Sequence, residues 1–181
     1  MSETRQVALL RGINVGGNNI IKMVALRESF EAMGHGEVVT YIQRGNVVFS
    51  AKTADKAKLT TSIEKALSKT FGYESKIVIV SAKELARVVD EAPPGFGKQP
   101  TLYRYDVMFV KEPMTTKEAL AQVSAKPGVD EVHAGKHALY FRRLIAKATQ
   151  SHLSKIVGKP VYKSLTVRNW NTTMKLRAMV E

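Results

Sequence analysis

Apolar positions in this chain switch between two periods, and the switches order its elements. Residues 6–10 read as a buried strand, apolar from Val7 onward. Met23, Leu26, Phe30 and Met33 then recur at three- and four-residue spacing and stop at Gly34, as in an amphipathic helix closed by glycine. Residues 38–42 and 46–49 read as strands joined by a tight turn at Gln43-Arg44-Gly45. A second helical period, Ala57, Ile63, Leu67 and Phe71, stops at Gly72, and residues 77–80 form the next apolar strand. The order strand, helix, strand, strand, helix, strand predicts a ferredoxin-like unit, with an apolar helix layer covering one side of a sheet.

Ser81 followed by Glu84 has capping-box spacing and predicts a helix whose apolar side is Leu85, Val88 and Val89. Pro93-Pro94-Gly95-Phe96-Gly97 ends it. The pattern then starts again. Strands are expected at 106–110, 129–134, 137–142 and 165–167, with short helices at 116–123 and 150–157, the latter closed by Gly158. Thr172, Leu176 and Met179 have helical spacing, with Thr172 as the expected cap. The fold class is therefore α+β: two ferredoxin-like alpha-beta sandwich subdomains joined by a helix and a Pro/Gly-rich linker. The expected division is 1–80, a helical connector and linker at 81–101, and 102–181 with a C-terminal helix.

Composition narrows the chemistry. The 181 residues include no cysteine, which excludes disulfides and thiol nucleophiles. No apolar run approaches the roughly 20 residues that cross a membrane, and the first residues lack the pattern of a signal peptide. The expectation is a soluble, cytoplasmic protein without membrane partners. Charge is uneven: 13 basic against 10 acidic residues through Ala92, then 15 against 6, with no acid between Glu131 and Glu181. Such a basic second half attracts anions. Whether Lys136, Arg142, Arg143, Lys147, Lys155, Lys159 and Lys163 act on nucleic acid depends on their sharing one face.

Two segments carry candidate chemistry. Arg11-Gly12-Ile13-Asn14-Val15-Gly16-Gly17-Asn18-Asn19 follows the first strand. Its glycines permit unusual backbone angles and close approach of a ligand, and its N–H groups can form an anion-holding concavity. Arg11 offers a bidentate fork for phosphate or carboxylate, and Asn14 and Asn18 offer amides. The same letters also suit a demanding strand-to-helix connection braced by asparagine hydrogen bonds. The spacing fits neither the Rossmann fingerprint nor a P-loop. Late in the chain, Arg168-Asn169-Trp170-Asn171-Thr172-Thr173 holds the sole tryptophan. Trp170 either anchors the terminal segment or walls a ligand cleft. The expected ligand-binding set is Arg11, Asn14, Gly16, Gly17, Asn18, Arg168, Asn169 and Trp170, in a polar cleft between the two subdomains. The Gln43–Asn46 turn is expected at the opposite strand ends from the Arg11 loop.

No zinc motif or nucleophile elbow occurs, so neither a metal nor a cofactor is expected. His133, Asp106 and Tyr103 are no more than fallback groups for proton transfer. Glu131, His133 and His137 cluster about the Gly135-Lys136 turn but read as exposed hairpin residues. The function expected is binding of a small anionic or phosphorylated ligand. An enzyme acting on a small anionic substrate and a weak nucleic-acid-binding module are the alternatives.

Three ordered motifs also resemble a bacterial family known as domain of unknown function 1697 (DUF1697). They are Leu9 to Asn18 with Met23; Thr40-Tyr41-Ile42-Gln43-Arg44-Gly45-Asn46-Val47-Val48-Phe49; and Arg168 to Thr172 with Lys175 and Leu176. The resemblance implies two α+β subdomains of ferredoxin-like character and supplies no activity, cofactor or catalytic set. Arg44 stands where the family pattern has serine, and an anion at that turn would be drawn more strongly by the arginine.

Overall fold

A computed structural model describes residues 3–181. The chain divides into two compact units, one of residues up to Leu85 together with Leu176–Glu181, the other Ala86–Lys175. The first unit contains β1 (Thr4–Leu10), α1 (Met23–Ala32), β2 (Gly36–Tyr41), β3 (Asn46–Ala51), α2 (Lys56–Phe71) and β4 (Ile77–Ser81). Its sheet order is β2-β3-β1-β4, antiparallel throughout, as the ferredoxin-like reading requires. Leu26 and Phe30 of α1 and Leu59, Ile63 and Leu67 of α2 pack on Ala8, Leu10, Val47, Phe49, Ile77 and Ile79. The alternate positions Val7, Leu9, Val48, Val78 and Val80 are buried as well. Burial on both faces explains why these strands read as continuous apolar runs rather than as an alternation.

Local chemistry fixes the helix ends. Asp55 accepts the Lys58 N–H at 3.1 Å, and Gly72 closes α2 at φ 67°. That angle is left-handed, which glycine adopts without Cβ cost. The expected capping box is present: Ser81 Oγ accepts from Glu84 N–H, and Glu84 accepts from Ser81 N–H, at the start of α3 (Ala82–Asp90). This helix begins in the first unit and ends in the second.

The second unit repeats the topology with β5 (Tyr103–Val110), α4 (Thr116–Gln122), β6 (Asp130–Ala134), β7 (Ala138–Leu144) and β8 (Leu165–Asn169), ordered β6-β7-β5-β8. Its crossover from β7 to β8 departs from expectation. Instead of a helix over 150–157 there is a 3-10 stretch, a four-residue α5 (Leu153–Ile156) and another 3-10 turn. Ile156 and Val161 still reach the core formed by Met108, Val110, Leu139, Phe141 and Leu165. On the other face of this sheet, Phe96 from the Pro/Gly-rich connector meets Tyr105, Tyr140 and Trp170 edge-on, with ring centroids 4.8, 5.5 and 5.1 Å away. Tyr140 donates its hydroxyl to the Val88 carbonyl of α3. Burial pushes the Tyr140 phenol well above its ordinary pKa, and Glu91 adds to the shift.

The last helix, α6 (Trp170–Val180), starts two residues before the expected cap. Asn169 is the capping residue: its Oδ1 accepts the Thr172 N–H at 2.8 Å, while Thr172 is buried within the helix. The end of α6 belongs to the first unit, where Arg5 donates to the Met179 carbonyl at 3.3 Å.

Candidate functional site

The Arg11–Asn19 segment folds as a miniature hairpin. Asn14 N–H donates to Asn19 O, Asn18 N–H donates to Val15 O at 3.0 Å, and Gly16 and Gly17 occupy the two turn positions with φ 58° and 78°. Two consecutive left-handed residues define a type I′ turn, which accounts for the glycine pair. Asn14 and Asn19 are also left-handed, at φ 52° and 46°, an angle asparagine tolerates better than other side-chain-bearing residues. Their amides brace the loop. Asn14 accepts from Ile21 N–H at 2.8 Å and donates to Ile21 O and Gln43 O, each at 3.0 Å, while Asn19 donates to Gly12 O. Asn14 is thus committed to shaping the loop, while Gly16, Gly17 and Asn18 are exposed at its tip.

The Asn14–Gln43 bond corrects one expectation. The Gln43–Asn46 turn lies at the same sheet end as the Arg11 loop, because β1 and β3 run antiparallel and Leu9 registers with Asn46. Leu10 N–H donates to Gly45 O at 2.8 Å. Gly45 has φ 71°, and a Cβ there would come within 2.6 Å of Leu10 Cβ, so the two segments approach as closely as backbone permits. Arg11 N–H donates to Lys76 O at 3.0 Å, adding the start of β4 to the same end. Three connections therefore reach this end of the sheet, and they carry Arg11, Lys22, Arg44 and Lys76. Lys76 pairs with Glu74 at 3.2 Å. Lys22 precedes α1 without a side-chain cap bond, so the first N–H groups of that helix open at this end too. Sequence reasoning missed Lys22 and Lys76. Their signal was topological: in this strand order the start of β4 abuts the end of β1.

The C-terminal candidates lie in the second unit. Arg168 is buried on β8, opposite Val107, and donates to Val167 O at 2.9 Å. Asn169 serves as the cap of α6, and Trp170 packs edge-on against Phe96 of its own unit.

The fallback catalytic residues do not converge. Tyr103 and His133 project from one face of the second sheet, linked through Arg142 and Glu131. Arg142 lies 4.5 Å above the Tyr103 ring and donates to Glu131 at 2.6 Å, and His133 Nε2 is 3.7 Å from the same carboxylate. The Arg142 hydrogen bond is the largest influence on Glu131 and holds it below its ordinary pKa. Asp106 is on the opposite face, since it registers with Phe141 rather than Arg142. The basic residues divide likewise: Arg142 and Arg143 are consecutive in β7 and face opposite ways. Among the described residues no group of three or more histidine or acidic side chains is placed to hold a metal ion.

Comparison with known proteins adds lineage rather than activity. The chain is similar to a solved structure described as conserved bacterial protein SP0830 from Streptococcus pneumoniae, at 24% identity over 99% of this chain and 100% of that one, with a TM-score of 0.88. That likeness concerns the fold. No curated protein matches the chain. The model of the family described as Protein of unknown function (DUF1697) matches residues 3–140, and the chain belongs to that family.

Proposed function

We propose that the protein binds a small anionic or phosphorylated ligand at the end of the first sheet where the Arg11 hairpin, the Gln43–Asn46 turn and the start of β4 meet. The observation that carries this reading is the meeting of three connections at one sheet end, which between them carry Arg11, Lys22, Arg44 and Lys76. A guanidinium fork matches a phosphate or carboxylate edge, and the exposed Gly16–Gly17 tip offers backbone donors without side-chain obstruction. The uncapped start of α1 favours the same charge. Asn14 acts in this reading as a positioning residue that ties the hairpin to the turn. Arg168, Asn169 and Trp170 belong to the second unit and have their own arm in the test.

Ligand-observed NMR against phosphorylated metabolites, nucleotides and dicarboxylates tests the reading. A selective ligand is expected, with Arg11→Ala weakening it by about tenfold or more, the scale of a lost charge-assisted hydrogen bond. Arg168→Ala is measured alongside. Unselective binding of every anion that vanishes at physiological salt would reduce the cation cluster to general electrostatic attraction.

A further inference from the structure

The second sheet changes character along its helix-covered face. Every second residue shares that face, so strand register sorts its side chains into rows. Ala134, Leu139, Met108 and Val167 make an apolar row. The next is Val132, Phe141, Asp106 and Asn169, and the last is Asp130, Arg143 and Arg104. Arg104 and Arg143 are directly opposite on neighbouring strands, a like-charge pairing that disfavours the sheet.

Among the described residues no acidic side chain meets this pairing in a close ion pair. Asp130, across from Arg143, has both oxygens engaged: Ser151 Oγ donates at 2.6 Å, His152 N–H at 2.7 Å and Lys126 N–H at 3.0 Å. Among the described residues neither the Arg104 nor the Arg143 side chain makes a hydrogen bond or an ion pair within 4 Å, and the Arg143 Nε is buried with no hydrogen-bond partner. A buried, unsatisfied guanidinium nitrogen calls for an explanation. Asp106 stands diagonally from Arg143 and two residues along the strand from Arg104. Burial raises its carboxyl above the ordinary value, against the opposing charges of Arg143 and Arg104, which are close enough to act on it. Asn169, beside Asp106, uses Oδ1 to cap α6 and keeps Nδ2 as the donor of that row.

We propose that this polar end of the second sheet is an oxyanion site, in which Arg104 and Arg143 hold the anion and the Asp106 carboxylate accepts a hydrogen bond from the anion's own proton. Two guanidinium forks supply the donors an oxyanion needs. The carboxylate supplies selectivity. Hydrogen phosphate carries a P–O–H that can donate to Asp106. Sulfate near neutral pH carries no proton and would set its charge against the carboxylate without relief. The site takes hydrogen phosphate and refuses sulfate. It lies wholly within the second unit and does not depend on the Arg11 cluster.

The test uses the full chain near neutral pH at fixed ionic strength, titrated with inorganic phosphate and separately with sulfate. Calorimetry gives affinities, and the Arg143 Nε–Hε resonance reports the site. Phosphate is expected to shift that resonance saturably and to bind about tenfold or more tightly than sulfate, with Arg104→Gln and Arg143→Gln each weakening phosphate by about tenfold. Asp106→Asn is expected to erase the preference between the two anions. Arg11→Ala leaves phosphate at this site unchanged, so loss of the first-sheet site and loss of this one are told apart. Equal affinity for both anions in the unaltered protein overturns the proposal, as does unchanged phosphate binding in Arg104→Gln. Because Arg104 is exposed, that variant decides the matter even if Arg143→Gln does not fold.

Discussion

The two units close the same four-stranded sheet with different covers. In the first, the crossover to the last strand is α2, a 16-residue helix with a capping aspartate, a left-handed glycine stop and three buried side chains, Leu59, Ile63 and Leu67. In the second, the same stretch of chain is broken into 3-10 turns around the four-residue α5, and Ile156 and Val161 supply the buried contacts. A regular helix satisfies its own backbone, whereas an irregular segment must find partners elsewhere. Asp130 provides them, accepting from Ser151 and His152 of the crossover and from Lys126 before β6. Sheet topology is thus set by strand pairing and a few apolar anchors, and the regularity of the covering layer is optional. The cationic positions differ as well: Arg11 follows the end of β1 in the first unit, and Arg104 lies near the start of β5, opposite Arg143, in the second.

The comparison can be broken most directly through the anchors. Leu67→Ala is expected to cost about 3–5 kcal/mol, because a rigid helix relaxes little around a cavity, and Ile156→Ala about 2 kcal/mol, because the short segment can collapse. Urea denaturation measures both, and an equal or larger cost for Ile156 would show that the irregular cover is as rigid as the helix. Gly45→Ala in the first unit combines a left-handed angle with contact against Leu10, and is expected to cost about 3 kcal/mol. Gly16→Ala, with open space around its Cβ, meets only the backbone penalty of about 1 kcal/mol. Thermal unfolding of the pair separates the tightly packed turn from the open hairpin tip.

Asp130→Asn sharpens the account of the second crossover, with an expected loss of about 2 kcal/mol. Hydrogen exchange should accelerate over residues 145–164 and leave α2 unchanged; uniform acceleration in both would deny Asp130 its local role. The smallest effect concerns the start of α3. Ser81→Ala removes the cap at about 1 kcal/mol. Burial alone would raise the Glu84 carboxyl, but hydrogen bonds from Lys56 and Ser81 together with the Lys56 charge outweigh it and hold the group below its ordinary value of 4.5. A carboxylate depressed in the folded state stabilises above its unfolded pKa and loses that contribution as pH falls through the folded one. Stability should therefore decline from about pH 4.5 downward, and Glu84→Gln should flatten this acid limb in equilibrium unfolding measured against pH.

Much of the fold was legible because local and long-range signals agreed. Met23, Leu26 and Phe30 predicted α1, Gly72 marked the end of α2, and Ser81 with Glu84 predicted the cap of α3. Residues 150–157 misled because apolar spacing cannot report that Ser151 turns inward to a buried aspartate. Thr172 misled for a similar reason: several residues near a helix start can cap it, and Asn169 holds the position. At the candidate site, the glycines and asparagines announced an unusual backbone, but their letters did not distinguish ligand contact from loop bracing. Asn14 binds three backbone groups, a fact that depends on Ile21 and Gln43 arriving beside it.

The sequence by itself determined the element order, the two sheets and the family, because hydrophobic period, caps and turn residues act over short spans of chain. Tertiary structure decided which polar residues meet. Antiparallel register brought the Gln43–Asn46 turn to the Arg11 hairpin, set Arg104 against Arg143, and placed Asp106 on the face away from Tyr103 and His133. A one-residue change of register reverses the face a side chain occupies, so such encounters are settled only when the strands pair.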